Sequence, residues 1–156
     1  MTQIKYILIF LVPALCMSCG DDDAPTAKEL INAHPWKVSN YDVQASAPGI
    51  TVPQEVLDPF INDILAEAPL RGTITFTPGV TVVEDQGVRL EGTWTLSDDE
   101  TTFTITLGNP PETSTLLVLQ ITDDSYNLKY TITEDVEVEG NMVPVTLDIT
   151  IFLVPA

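Results

Sequence analysis

Apolar and polar residues alternate with a period of two through most of the chain that follows Arg71. Threonines occupy many of the polar positions, which is typical of antiparallel sheets that bury one face. The clearest run is the last, in which every second residue from Val143 to Leu153 is apolar. Turn residues such as Pro78-Gly79 and the acidic Ser97 to Glu100 separate the runs. With a first strand that begins at Trp36, the pattern predicts about eight strands.

Two strand segments depart from regular alternation. The phase of the apolar residues shifts between Val38 and Tyr41, which predicts a β-bulge in the first strand. The segment from Leu116 to Ile121 is apolar on both faces, which predicts a strand that is covered on both sides or lies near a helix. Before the first strand, residues 28–33 are expected to form a helical turn, which His34-Pro35 ends.

One helix is predicted between the first and second strands. Asp58 is a suitable N-cap acceptor, and Pro59 suits the first helical position. Pro69 is expected to end this helix, which covers residues 59–68. An amphipathic helix this short needs a partner surface, so it is expected to lie against the sheet or across one end of it. Its apolar positions at helical spacing are Phe60, Ile61, Ile64, Leu65 and Ala68.

The short links between consecutive strands favour pairing of sequence neighbours, which gives a meander. An eight-stranded meander has two exposed edges unless the sheet closes on itself. The sequence therefore predicts an all-β fold, an eight-stranded antiparallel up-and-down β-barrel with one short helix between strands 1 and 2. A two-sheet β-sandwich is the alternative.

The N-terminal residues have the pattern of a secretory signal peptide. Lys5 is the only charged residue among the first 18, and the apolar stretch from Ile7 to Leu15 is too short for a stop-transfer helix. The residues that follow resemble a bacterial lipobox, because Ser18 is the small residue required immediately before a lipidated cysteine. We therefore expect cleavage before Cys19 and lipidation of Cys19.

Cleavage at this position would divide the chain into three parts. These are a signal peptide at residues 1–18, a lipidated acidic tether at residues 19–27 and a β domain at residues 28–156. The run Asp21 to Asp23 after the cysteine resembles the Bacteroidetes-type lipoprotein export signal. This resemblance implies a protein that is lipid-anchored in the outer membrane and exposed at the cell surface. The alternative is a tether whose charges only keep it solvated and extended.

Charge and cysteine content narrow the possible partners. The chain has 23 acidic and 6 basic residues and a formal net charge of −17. Such a chain repels phosphate backbones, so no nucleic-acid partner is expected, and it has no polybasic patch for anionic lipid headgroups. The two cysteines are Cys16, which leaves with the signal peptide, and Cys19. The mature domain therefore has neither a free thiol nor a disulfide.

The residues that most catalytic sites need are scarce. His34 is the only histidine, so the mature chain offers no nucleophile–base pair and no zinc site of the usual type. The acidic cluster Asp98 to Glu100, like the others, lacks the alternating aspartates and central glycine of a calcium loop, and is interpreted as a solvated turn. The sequence thus predicts a protein that is not an enzyme and that holds no cofactor and no metal.

The β domain resembles the lipocalin-like domains of Bacteroidetes-type lipoproteins. The resemblance is carried by Glu29-Leu30-Ile31, by Trp36-Lys37-Val38 and by the segment from Leu90 to Asp99. The chain departs from the lipocalin pattern at His34, which replaces the glycine of Gly-x-Trp, and in the last strand, which has no arginine to cover the tryptophan. The resemblance implies the barrel fold and a small apolar or amphipathic ligand.

An eight-stranded barrel either fills itself with side chains or holds one small ligand. Gly92 and Trp94 are expected to face inward together, with the glycine leaving space beside the ring. Tyr126 and Tyr130 also face inward, and Glu134 follows if the alternation persists. These five residues are the candidate ligand-binding residues, since polar side chains in an apolar cavity would orient a ligand.

The sequence is compatible with two functions. The first is a surface-anchored module that binds a small apolar or amphipathic molecule inside the barrel. The alternative is a non-enzymatic interaction or structural lipoprotein with a filled core, whose loops bind a glycan or a protein partner. Both functions require the same alternation of apolar and polar residues, so the pattern alone does not separate them.

Overall fold

The computed structural model describes residues 24–138 and 140–156, and Cys19 lies outside these ranges. The described residues form two helices and eight strands. In chain order they are α1 (Ala27–Asn32), β1 (Trp36–Ser46), α2 (Gln54–Ala66), β2 (Thr73–Thr77), β3 (Val80–Asp85), β4 (Val88–Leu96), β5 (Thr102–Leu107), β6 (Glu112–Ile121), β7 (Tyr126–Val138) and β8 (Asn141–Pro155).

The eight strands form one closed barrel in which every strand pairs antiparallel with its neighbours in sequence. The ring closes because β1 pairs with β8 from Trp36–Pro155 to Ser46–Thr146. The predicted up-and-down barrel is therefore confirmed, and the sandwich alternative is wrong. All eight strands and their shared core lie within residues 24–156, so the barrel is complete in this part of the chain.

The bulge predicted in β1 is confirmed. The pairing with β8 shifts register between Val38 and Asn40, so Ser39 is the extra residue on the β1 side. The Ser39 hydroxyl donates to the carbonyl oxygen of Phe152 at 3.0 Å. This insertion places both Trp36 and Tyr41 on the inner face of the barrel, which uninterrupted alternation would not do.

The antiparallel order places successive turns at opposite ends of the barrel. The end that carries α1 and the turn at 122–125 is called the α1 end, and the end that carries α2 and the turn at 108–111 is called the α2 end. His34 lies at the α1 end. Its Nε2 is 2.9 Å from the carbonyl oxygen of Asp123, and the centroid of its ring is 4.4 Å from the centroid of the Trp36 ring.

An aromatic cluster fills the interior at the α1 end. Trp36 is fully buried, and its Nε1 donates to the carbonyl oxygen of Ile31 in α1 at 2.9 Å. The rings pack mostly edge to face, with centroids 5.5 to 6.4 Å apart, a favourable arrangement of aromatic quadrupoles. The members of this aromatic cluster are Trp36, Phe76, Trp94, Phe103 and Tyr126.

Helix α2 begins at Gln54 and not, as predicted, at Pro59, which lies inside it. The carbonyl oxygen of Pro53 accepts from the N–H groups of Val56 and Leu57, while Asp58 is not the N-cap. Pro59 removes one helical hydrogen bond, and burial of Leu57 on the added turn offsets that loss. The helix ends at Ala66, shortly before Pro69, as expected.

The outer face of β6 is exposed. Leu116 is buried, but Leu117 and Leu119 are each 49% exposed. Coverage on both sides, the first of the two alternatives predicted for this strand, is therefore wrong, because α2 lies over one end of the barrel and not along its flank. The second alternative, a position near a helix, holds for α1, which contacts β6.

Candidate functional site

The predicted space beside Gly92 is occupied. Gly92 pairs with Leu107 on β5, and a Cβ at position 92 would lie only 1.9 Å from the carbonyl oxygen of Thr106. The glycine therefore allows a close approach of two strands. Trp94 is buried in the aromatic cluster, where its Nε1 donates to the carbonyl oxygen of Thr77 at 2.7 Å. The carbonyl group of Thr106 and the side chain of Leu107 thus occupy the space that the glycine was expected to leave.

The three tyrosines on the inner face differ in their hydroxyl partners. Tyr126 is fully buried, and among the described residues its hydroxyl has no hydrogen-bond partner. Burial raises the pKa of Tyr126 well above its usual value. Tyr41 donates to the carbonyl oxygen of Leu70 at 2.8 Å. Burial, with Tyr41 nearby, raises the pKa of half-buried Tyr130 to about 12. All three phenols therefore stay neutral near pH 7.

Glu134 is separated from the other candidate residues. It is paired with Val145 on β8, so the alternation in β7 persists, yet its side chain is exposed. The last β1–β8 pair is Ser46–Thr146, so Glu134 lies on the part of the β7–β8 hairpin that extends beyond β1. The structure brings Trp94 and Tyr126 together, both against Phe103, but does not bring Glu134 to them.

A cavity of about 310 Å³ opens at the α2 end, between the C-terminal end of α2 and the inner faces of β3 to β6. Its inner wall includes Val83 and Ile105, which are buried, and Leu90, which is half-buried. These residues have the inward phase of their strands, so the cavity is a part of the barrel interior that side chains leave unfilled. It is called the α2-end cavity below.

Polar groups surround the entrance of the α2-end cavity. The Arg71 guanidinium donates to the carbonyl oxygen of Ala66, and its Nε lies 3.6 Å from a carboxylate oxygen of Asp85. Glu67 and Glu112 line the cavity with exposed carboxylates. The arrangement combines an apolar wall with a charged rim, which suits an amphipathic molecule.

A second cavity, of about 430 Å³, lies on the other side of α2. It is bounded by the loop at 47–52, by Leu57 and Ile61 of α2 and by Val145 of β8, and none of its lining side chains is charged. Helix α2 thus separates two cavities at the open end of the barrel.

The sequence did contain a signal for the α2-end cavity. Ser114 pairs with Ile105 and shares the inward phase of Leu116, so a small polar residue occupies an inner position of β6. Glu112 continues the same phase toward the α2 end. Small and polar residues at inward positions indicate an interior that is not packed.

No protein-family model matches the chain, and no curated protein matches it. Within residues 24–138 and 140–156, neither helix is long and apolar enough to cross a membrane.

We predict that Gly92→Ala lowers the free energy of unfolding by about 1–3 kcal/mol, because the added methyl group would force β4 and β5 apart. The neighbouring Thr93→Ala, on the exposed outer face, is the matched control and should change stability by less than about 1 kcal/mol. Urea denaturation followed by circular dichroism measures both. Equal effects of the two substitutions would show that the close approach at Gly92 is unimportant.

We predict that Tyr126→Phe raises the free energy of unfolding by about 1 kcal/mol, because it removes a buried hydroxyl that has no partner. Tyr41→Phe makes the same chemical change at a hydroxyl that is hydrogen-bonded, and should lower stability by about 1 kcal/mol. Urea denaturation of both variants compares the two signs. A loss of stability in Tyr126→Phe would mean that the hydroxyl has a partner in solution.

Proposed function

We propose that this protein is a surface-anchored lipoprotein whose lipocalin-like barrel binds one small apolar or amphipathic molecule at the α2 end. One observation carries the proposal. Inner-face residues of four consecutive strands, among them Val83, Leu90 and Ile105, line a cavity that opens to solvent. An apolar ligand that covers the apolar side chains of an accessible cavity wall lowers the free energy of the system, because it removes apolar surface from water.

The size of the cavity limits the ligand. A volume of about 310 Å³ is at the lower end of the range for small-molecule sites. The aromatic cluster fills the barrel interior at the α1 end, where Trp36 and Phe103 are fully buried, whereas the α2-end cavity borders inner faces of the strands. We therefore expect one short-chain or single-ring molecule and not a long acyl chain.

Helix α2 leads into the site, because the residues that follow it, Glu67, Ala68 and Pro69, line the cavity. Leu57 is the only buried residue of the helix, whereas Phe60, Ile61 and Ile64 on the side facing the core are partly buried. The apolar face of this helix is thus incompletely packed against the barrel. A ligand in the cavity would contact the segment directly after the helix and so favour the present position of the helix.

A second candidate function is a non-enzymatic interaction module that binds a protein or glycan partner. It is favoured by the two half-exposed leucines on the flank, Leu117 and Leu119, and by the filled α1 end of the barrel. The two functions predict different sites, one inside the barrel at the α2 end and one on the outer face of β6.

We expect residues 24–156, purified without detergent, to carry a reproducible extra mass in native mass spectrometry that denaturation removes. The mass would identify the ligand. If the spectrum shows only the bare chain, and incubation with a lipid extract leaves it unchanged, the ligand-binding function fails and the outer face of β6 becomes the site to study.

We predict that Ser114→Phe prevents ligand retention, because the ring would enter the α2-end cavity from the inner face of β6. The matched control is Thr115→Phe, which places the same ring on the exposed outer face of the same strand. Native mass spectrometry of both variants, after folding is checked by circular dichroism, compares their occupancy. Retention of the ligand by Ser114→Phe would place its site elsewhere.

The lipid anchor has a separate test. Metabolic labelling with a fatty-acid analogue should mark the protein, and Cys19→Ala should abolish the label because the thiol that accepts the lipid is removed. Cys16→Ala is the matched control and should keep the label. Labelling of Cys19→Ala at the original level would contradict the anchor.

A further inference from the structure

We infer that the α2-end cavity selects cationic over anionic amphiphiles. This inference rests on the ligand-binding function proposed above and specifies the charge of the ligand. The cavity has an apolar wall, so the polar group of a bound amphiphile must lie at the rim. The groups fixed at the rim therefore decide which headgroup is accepted.

The rim carries more negative than positive charge. The charged residues that line the α2-end cavity are Glu67, Arg71 and Glu112. Arg71 is the only cation among them, and it is already engaged by the carboxylate of Asp85 and by the carbonyl oxygen of Ala66. The carboxylates of Glu67 and Glu112, in contrast, make no described ion pair, so they are available to a cationic headgroup.

The end of helix α2 adds to this field. Glu67 is the C-cap of α2, and both Glu67 and Ala68 line the cavity. The C-terminal end of a helix carries a partial negative charge, which favours a nearby cation. Arg71 satisfies the Ala66 carbonyl but leaves the acidic side chain of Glu67 at the same end.

The other basic residues that the structure describes are not placed to bind the carboxylate of a ligand in the cavity. Arg89 is paired with Glu84 and Glu91 at 2.8 and 2.9 Å, and Lys129 is paired with Asp148 at 2.9 Å. Lys28 lies on α1, and Lys37 is exposed on the outer face of β1 opposite Thr73, so neither lysine lines the cavity. With a formal charge of −17 over the whole chain, an anionic headgroup would meet repulsion both at long range and at the rim.

The test uses three probes of equal chain length at pH 7: octylammonium and octanoate, each below its micelle concentration, and octanol below its solubility limit. Isothermal titration calorimetry on residues 24–156 measures each affinity. We expect octylammonium to bind roughly tenfold more tightly than octanoate, because two exposed carboxylates attract one headgroup and repel the other. Octanol should lie between them. Added salt should reduce the difference between the two charged probes.

Paired variants separate the rim from the overall charge. The double substitution Glu67→Gln and Glu112→Gln should reduce the octylammonium-to-octanoate affinity ratio by roughly fivefold while leaving octanol binding unchanged. The matched control, Asp135→Asn and Glu137→Gln, removes the same charge from the exposed β7–β8 hairpin and should keep the ratio of the unmodified chain. Circular dichroism verifies that both variants fold.

The outcomes are distinguishable. If octanoate binds as tightly as octylammonium, the inferred selectivity is wrong while ligand binding stands. If both double variants lower the ratio equally, the selectivity reflects overall charge and the role of the rim is wrong. If none of the three probes binds and native mass spectrometry shows no ligand, the proposed function itself fails, and the selectivity fails with it.

Discussion

The hydrogen bonds between β1 and β8 close the sheet, and the interior of the molecule exists only because of this closure. An open eight-stranded meander would expose the apolar face that Ile149, Ile151 and Leu153 contribute from β8. Closure turns that face into a core and removes both strand edges. Trp36 precedes the bulge at Ser39 and Tyr41 follows it, and the register shift at the bulge directs both side chains into this core.

The interior is packed unequally along the barrel axis. At the α1 end, Trp36 and Trp94 each bury their ring and donate a hydrogen bond from Nε1. The apolar and the polar parts of both side chains are therefore stabilised there. At the α2 end, a cavity borders the inner faces of β3 to β6, and the helix beside it has only Leu57 buried. The packed α1 end stabilises the fold, whereas the α2 end retains a cavity that a tightly packed core would not have.

The period of two was sufficient to predict the strands and the bulge, because both depend only on which side of the sheet a residue faces. The barrel needed a second signal, the short links that pair each strand with its neighbour in sequence. The period of two could not predict the cavity, since alternation does not say whether opposite walls meet. An open space was predicted beside Gly92, where the carbonyl group of Thr106 lies in the structure. Ser114, which does border a cavity from the inner face of β6, was not among the predicted residues. The start of α2 was misplaced because burial of Leu57 outweighed the local signal of Pro59.

The position of α1 gives the proposed anchor a geometric meaning. Helix α1 begins at Ala27 on the barrel end opposite the α2-end cavity. About seven residues separate it from Cys19, and they span at most roughly 25 Å even when fully extended. A lipid on Cys19 would thus keep the α1 end near the bilayer, with the entrance of the α2-end cavity at the far end of the barrel. Cargo would then exchange with the external medium, and not by lateral movement from the membrane.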